Sequence, residues 1–227
     1  MDRSLEWVLR YQLFLFDFDG LLVNTEPVHF HAYRAMCAAR GFLLDWDFPT
    51  FCSVAHGSAT GLRERIYGQF PALHAMEPRW EVLYLEKKAA YERLLSEGAG
   101  VELMEGAAPL LKALEVAKVR RCVVTNSFRV QTEAIKARLP ILQTIPHWIT
   151  REDYQQPKPA PDGYLKAIRE FGQAGDRIIG FEDSLKGFKA LLAAEAEGVL
   201  ICSKDLPQVE VCRALNGRHF ENLSAIS

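Results

Sequence analysis

Two carboxylates two residues apart, Asp17 and Asp19, follow the apolar run Leu13 to Phe16 and lead into Gly20. Acids at that spacing can divide a phosphoryl transfer between them, one attacking phosphorus and the other carrying a proton. Held so close, they raise each other's proton affinity unless a cation lies between them. Gly20 would let the backbone approach a phosphate. The same residues also describe a plain turn at a strand end, where Asp-Gly is common. Thr125-Asn126-Ser127 offers hydroxyl and amide groups between an apolar run and a helical pattern. That is either an oxyanion cradle at a helix N-terminus or a helix cap supplied by Asn126 or Ser127. Lys158 stands among Pro157, Pro159 and Pro161, with Asp162 as a candidate cap for the next helix. A rigid loop there would offer an ammonium to phosphate charge and hold a nucleophile ionised, although most lysines are simply exposed. Glu182-Asp183 ends another apolar run. Paired acids at a strand end suit Mg2+, which takes one or two carboxylates together with waters and phosphate oxygens; the alternative is capping of a helix from Ser184.

Short apolar runs must position these groups. Leu13 to Phe16, Cys122 to Thr125, Ile178 to Phe181 and Val199 to Cys202 read as buried strands, with Ile145 to Ile149 a weaker one. Each is followed by a polar residue and then by helical periodicity. Continuous apolar strands alternating with helices predict a doubly wound α/β fold around a parallel sheet, in which ligands bind beyond the carboxyl ends of the strands. From about Pro27 to Gly100 the rhythm breaks. Helices are expected over Val28 to Arg40, Gly61 to Gln69 and Pro78 to Ser96, with no strand among them. This predicts an all-helical domain over residues 25–101, inserted into a core formed by 1–24 and 102–227, with Gly98-Ala99-Gly100 in the return hinge.

Composition narrows the function classes. The 27 basic residues nearly balance 29 acidic ones, so the basic excess of a nucleic-acid binder is missing. Five scattered cysteines without a C-x-x-C pair argue against a disulfide framework and a zinc site. The opening MDRSLEWVLR lacks the apolar run of a secretory leader, and Asp17 and Asp19 interrupt the most apolar early segment, so a cytoplasmic protein without a membrane partner is expected.

Taken in order, FDFDGLLVNTEPVH (16–29), VVTNS (123–127), KPAPDGY (158–164) and FEDSLKG (181–187) resemble the haloacid dehalogenase superfamily, in the branch of β-phosphoglucomutase and its phosphatase relatives. The resemblance implies a Rossmann-like core with a helical cap, and an Mg2+-dependent enzyme acting on a small phosphorylated metabolite. Asp17 would form an aspartyl-phosphate, and Asp19 would be the acid and base. Thr125, Asn126 and Lys158 would hold the phosphoryl group. Asp17, Asp19 (through its backbone carbonyl), Glu182 and Asp183 would hold the metal. Asp19 favours phosphate over halide chemistry, because the dehalogenases lack an acid there.

Two departures from the family pattern stand out. Asn24 replaces a usual Asp near the hinge, and the segment Ala55 to Thr60, read as the first cap loop, has no Arg or Lys. His29 matches a family position facing the site, or is a helix histidine paired locally. His56 and Ser58 are the candidate substrate contacts of the cap loop, with Arg63 and Arg65 as stand-ins for the basic residue. A mutase needs a cationic anchor for the phosphate that is not transferred, ideally an Arg, and Ser58 or its neighbours occupy that place here. Hydrolysis is therefore expected, with a sugar-phosphate mutase as the alternative and a non-catalytic binding role behind both.

Overall fold

The computed structural model describes residues 3–57 and 60–226, with side chains for all of these but 3–5, 56 and 57. The chain divides into two units, Met1–Asn24 with Glu102–Ser227, and Thr25–Val101.

In the first unit, β1 (Leu13–Phe16) begins a six-stranded sheet. The other strands are β4 (Arg120–Val124), β5 (His147–Ile149), β6 (Ile178–Glu182), β7 (Glu197–Ile201) and β8 (Arg218–Phe220). Their order is β5-β4-β1-β6-β7-β8, and every pairing is parallel. From β1 the chain builds outward through β4 and β5, then crosses back to β6 and builds outward the other way. The reversal leaves β1 flanked by β4 and β6, a topological switch point at which α/β sheets form a crevice.

Alternation along β1 sends its side chains to opposite faces. Leu13 and Leu15 are buried with Cys122, Val124, Tyr164, Ala167 and Leu191. Phe14 and Phe16 stack with Phe181, with ring centroids 6.0 and 5.3 Å apart, and Trp7 packs on the same cluster. Both faces are covered, which is why the strands read as unbroken apolar runs. Helices α6 (Ala107–Val116), α7 (Arg129–Lys136), α8 (Asp162–Phe171), α9 (Leu185–Ala193) and α10 (Gln208–Ala214) complete this unit.

The second unit is helical: α1 (Glu26–Ala39), α2 (Phe48–Gly57), α3 (Gly61–Gln69), α4 (Pro71–Met76) and α5 (Trp80–Ser96). Its core gathers Phe30, Tyr33, Met36, Leu44, Phe51, Ile66, Leu73 and Leu83. The chain leaves and re-enters the sheet unit through a two-stranded antiparallel ribbon, β2 (Val23–Asn24) and β3 (Glu102–Leu103), which pairs Asn24 with Glu102.

Several expectations need correction. Helices α2 and α4 were not anticipated, nor were β2, β3 and β8. The stretch read as a loop from Ala55 is helical through Gly57. Asp162 lies inside α8, and Pro161 is the cap residue. Among the described residues no helix is long and apolar enough to cross a membrane.

Candidate active site

The register of the central strands decides which polar groups meet. Phe16 is level with Val123 on one side and Phe181 on the other. Asp17 therefore emerges beside Val124 and Glu182, and its N–H still donates to the Phe181 carbonyl at 3.0 Å. Thr125 continues from β4 in the same way, donating its N–H to the Ile149 carbonyl at 3.0 Å.

Lys158 reaches into this edge from the proline loop, where the Lys158–Pro159 peptide is cis. It is not an exposed loop lysine; its side chain is 4% exposed. The ammonium donates to Asp17 Oδ1 at 2.6 Å and to the Val124 carbonyl at 2.7 Å, and it pairs with Glu182 Oε1 at 2.6 Å. An ammonium has three protons, and these partners account for all of them. Burial acts to lower its pKa, but Asp17 and Glu182 outweigh burial and hold it above an ordinary lysine.

Glu182 is wholly buried and also accepts the Tyr164 hydroxyl, while its Oε2 has no hydrogen-bond partner. Burial and then the charge on Asp17 push its carboxyl up to about 7, against the opposing pull of Lys158. Burial, Asp17 and Glu182 likewise push Asp183 well above the usual carboxylate range. Both shifts express an excess of negative charge. Asp17, Glu182 and Asp183 each bring a carboxylate oxygen within 4.8 Å of the others. Fully ionised, three carboxylates against one ammonium leave two negative charges uncompensated. The donors are all hard oxygens, and a divalent cation of the Mg2+ or Ca2+ type fits both their chemistry and their charge.

Two glycines make the cluster possible. Gly20 has φ +82°, and a Cβ there would lie 2.2 Å from Asp183 Oδ2. A Cβ on Gly187, in the first turn of α9, would lie 2.0 Å from Glu182 Oε2. Ser184 caps that helix, its hydroxyl accepting the Gly187 N–H at 3.3 Å, so the cap is Ser184 and not the Glu182-Asp183 pair that the capping alternative expected.

The hydroxyl-amide segment is not a helix cap. The N–H of Arg129, which opens α7, is bonded by the Glu152 carboxylate, and that of Phe128 by the Gln131 side chain. Asn126 Oδ1 accepts from the Tyr154 hydroxyl at 2.7 Å and from the Lys158 N–H at 3.2 Å, which leaves its NH2 group to donate elsewhere. The Ser127 and Thr125 hydroxyls both donate to Asp19 Oδ2, at 2.5 and 3.4 Å. Asp19 thus turns its carboxylate to β4, and the acidic cluster consists of Asp17, Glu182 and Asp183 alone among the described side chains.

The sheet unit therefore brings Asp17, Asp19, Thr125, Asn126, Lys158, Glu182 and Asp183 to one edge. His29 lies in the helical unit, stacked on Tyr91 with its Nδ1 2.7 Å from Lys87 Nζ. Burial, then the Lys87 charge, holds its pKa well below that of a free histidine. Local pairing is the reading of His29 that these contacts favour. The His56 side chain and Ser58 lie outside the described residues. Arg63 and Arg65 are exposed on α3. Tyr154, Tyr164 and Gly187 belong to the site and were not anticipated. An aromatic residue near a proline loop carries no signal of its own, although Gly187 closes the FEDSLKG segment and could have been read as a close approach.

Comparison with known proteins agrees with this geometry. The haloacid dehalogenase-like hydrolase family matches residues 11–195. Protein CbbY of Rhodobacter capsulatus is 29% identical over 199 residues, covering 84% of this chain and 85% of the relative. The phosphorylated carbohydrates phosphatase of Thermotoga maritima is 26% identical over 193 residues, covering 82% of each. The crystal structure of CbbY from Rhodobacter sphaeroides in complex with phosphate superposes with a TM-score of 0.69 at 22% identity, covering 96% of each chain. With the family matched along most of the chain, its motifs in order and its fold reproduced, this chain belongs to the haloacid dehalogenase-like hydrolases.

Proposed function

We propose that the enzyme hydrolyses a small phosphorylated metabolite, a sugar phosphate or similar monoester, through an aspartyl-phosphate on Asp17. The observation that carries this reading is the convergence of Asp17, Lys158, Glu182 and Asp183 at the switch point, with Asp19 held two residues beyond the nucleophile. Asp17 attacks phosphorus and displaces the alcohol, while Asp19 gives the leaving oxygen a proton. Asp19 then takes a proton from the water that releases phosphate and restores Asp17. Lys158 keeps Asp17 ionised, and the Thr125 and Asn126 donors orient the phosphoryl oxygens. Mg2+ would be held by Asp17, Glu182 and Asp183 with the backbone carbonyl of Asp19, and it supplies positive charge against the charge of the phosphoryl group. The Thermotoga relative's action on phosphorylated carbohydrates supports the substrate class.

Hydrolysis is preferred to isomerisation because residues 55–60 contain no Arg or Lys to anchor a second phosphate. The test is a panel of phosphorylated sugars, phosphoglycolate, glycerol phosphate and nucleotides assayed with Mg2+. Phosphate release from one or more of them, abolished by chelator and by Asp183→Ala, is expected. Full activity in excess chelator would overturn the mechanism. Rapid conversion of β-glucose 1-phosphate to glucose 6-phosphate, given a trace of the bisphosphate and with little free phosphate, would replace it with the mutase.

A further inference from the structure

We infer that Ser127 is a positioning residue for the acid step, acting through Asp19; the inference rests on the phosphatase reading above. A carboxyl group that must deliver a proton in one direction needs its plane held, because the terminal torsion of Asp is soft. Among the described residues two hydroxyls bond it, both on the same oxygen. Ser127 Oγ donates to Asp19 Oδ2 at 2.5 Å, and Thr125 Oγ1 lies at 3.4 Å from that atom. The two are not equivalent. Thr125 Oγ1 also accepts the Ser127 N–H at 3.0 Å, so its main task is to close the turn that carries Ser127. Ser127 spends its single hydroxyl proton on Asp19.

The consequence is chemical. A neutral carboxyl group has one O–H donor and keeps its other oxygen as an acceptor. With Oδ2 occupied as the acceptor of Ser127, the acid form of Asp19 carries its proton on Oδ1. As the Asp17 oxygen bonds to phosphorus, the bond from phosphorus to the leaving oxygen breaks and its electron pair stays on that oxygen. The Oδ1 proton then completes the alcohol. In the second half, water bonds to phosphorus, returns a proton to Asp19, and phosphate leaves with the Asp17 carboxylate restored. Ser127 gives up no atom at any stage; it selects which Asp19 oxygen works.

The turn itself does not depend on the hydroxyl. The Ser127 N–H is held by Thr125, and the Ser127 carbonyl accepts the Arg151 N–H at 3.0 Å. Ser127→Ala therefore removes one hydrogen bond and leaves the loop in place. The discriminating readout is kcat/KM for two esters that differ in their need for an acid. It covers only the steps up to departure of the leaving group, so the later hydrolysis does not enter. With an alkyl ester such as glycerol phosphate, Ser127→Ala should lower kcat/KM about tenfold, mostly in kcat, the scale of one lost hydrogen bond to a charged group. With p-nitrophenyl phosphate, whose leaving group departs without help, the loss should stay under about twofold. Ser127→Thr, which keeps a hydroxyl, should recover most of the alkyl activity. Equal losses on both esters, no loss on the alkyl ester, or failure of the threonine variant to recover it would each overturn the inference. Asp17→Asn and Asp19→Asn are measured alongside. Turnover retained by Asp17→Asn, or equal losses on both esters in Asp19→Asn, would count against the phosphatase mechanism itself, separately from Ser127.

Discussion

The two ends of the parallel sheet are built from similar residues and behave in opposite ways. At the amino ends, Asp176 pairs with Arg120 at 2.7 Å, and Glu197 pairs with Arg218 at 3.2 Å and Arg177 at 3.8 Å. Each acid meets at least one guanidinium group, and Glu197 with its two partners lies within reach of water; Arg177 is 61% exposed. At the carboxyl ends, Asp17 and Glu182 share Lys158, Asp183 brings a third carboxylate beside them, and Glu182 is fully buried. The first arrangement is what stability alone favours, since exposed pairs cost little to form and contribute little. The second is a poor bargain for folding, because buried charge of one sign is expensive unless something else neutralises it. A site that concentrates uncompensated carboxylates is kept for what it binds, and a divalent cation with a phosphate is what this one suits.

That contrast can be broken or sharpened by substitution. The largest effect should come from Asp17→Asn, which keeps the shape and removes the attacking oxygen. Turnover should fall by about four orders of magnitude in a steady-state assay, with folding unchanged by circular dichroism. Near-normal turnover would show that the carboxyl end holds no nucleophile at Asp17.

Lys158→Met comes next. It removes the counter-charge between Asp17 and Glu182 and should cost about a hundredfold in kcat. It should also cost about 3 kcal/mol of stability in metal-free denaturant unfolding, the scale for a broken buried pair. If stability and rate both hold, the ammonium is not what makes this end tolerable.

Gly187→Ala tests how tightly the site is built, because its methyl group would fall on the Glu182 carboxylate. A loss of about 1–3 kcal/mol with a drop in kcat is expected. Unfolding and rate measurements that match the unsubstituted enzyme would mean that α9 can draw back freely.

In the helical unit, His29 is held neutral by burial and Lys87. Its folded pKa is depressed, so the unfolded chain binds this proton first as pH falls. The stability it contributes is complete well above about pH 6.5 and is lost progressively as pH falls through and below that value, at up to about 1.4 kcal/mol per pH unit. His29→Gln should flatten this part of the pH dependence of thermal unfolding between pH 7.5 and 5.5. An unchanged dependence would show that His29 does not titrate in this way.

The smallest effect belongs to the amino ends. Arg177→Ala removes the exposed partner 3.8 Å from Glu197 and should cost less than about 1 kcal/mol, with kcat and KM unaltered. A large loss of activity would erase the distinction between the two ends.

The strands β1, β4, β6 and β7 were legible because both sheet faces are covered, which turns each into a short apolar run with an acid or hydroxyl at its end. Elements whose burial comes from distant partners were not. Helix α2, FPTFCSVAHG, carries no Asp, Glu, Lys or Arg, and the exposed Thr50 and Ser53 mark its outer face too faintly for a surface helix to be read from the pattern. Helix α4 has six residues, and β2 and β3 have two each, too short for any period to show. Strand β8, Arg218–Phe220, is a polar edge strand recognisable only by its pairing with β7.

By itself, the sequence determined which groups are available for chemistry. Asp17, Asp19, Glu182 and Asp183 can be picked out by type and spacing because they end apolar strands readable from their own neighbours, and Lys158 because prolines surround it. The tertiary structure alone decided what each group faces. Lys158 lies between Asp17 and Glu182 only because β1 is flanked by β4 and β6. Ser127 and Asp19, 108 positions apart, are hydrogen-bonded for the same reason. Tyr154 enters the site from a segment whose own sequence gives no hint of it, and Tyr164, the last residue of KPAPDGY, meets Glu182 only through the fold. Side-chain direction in a parallel sheet depends on strand order and register, and both are set by contacts between residues far apart in the chain. Local periodicity does not carry that information.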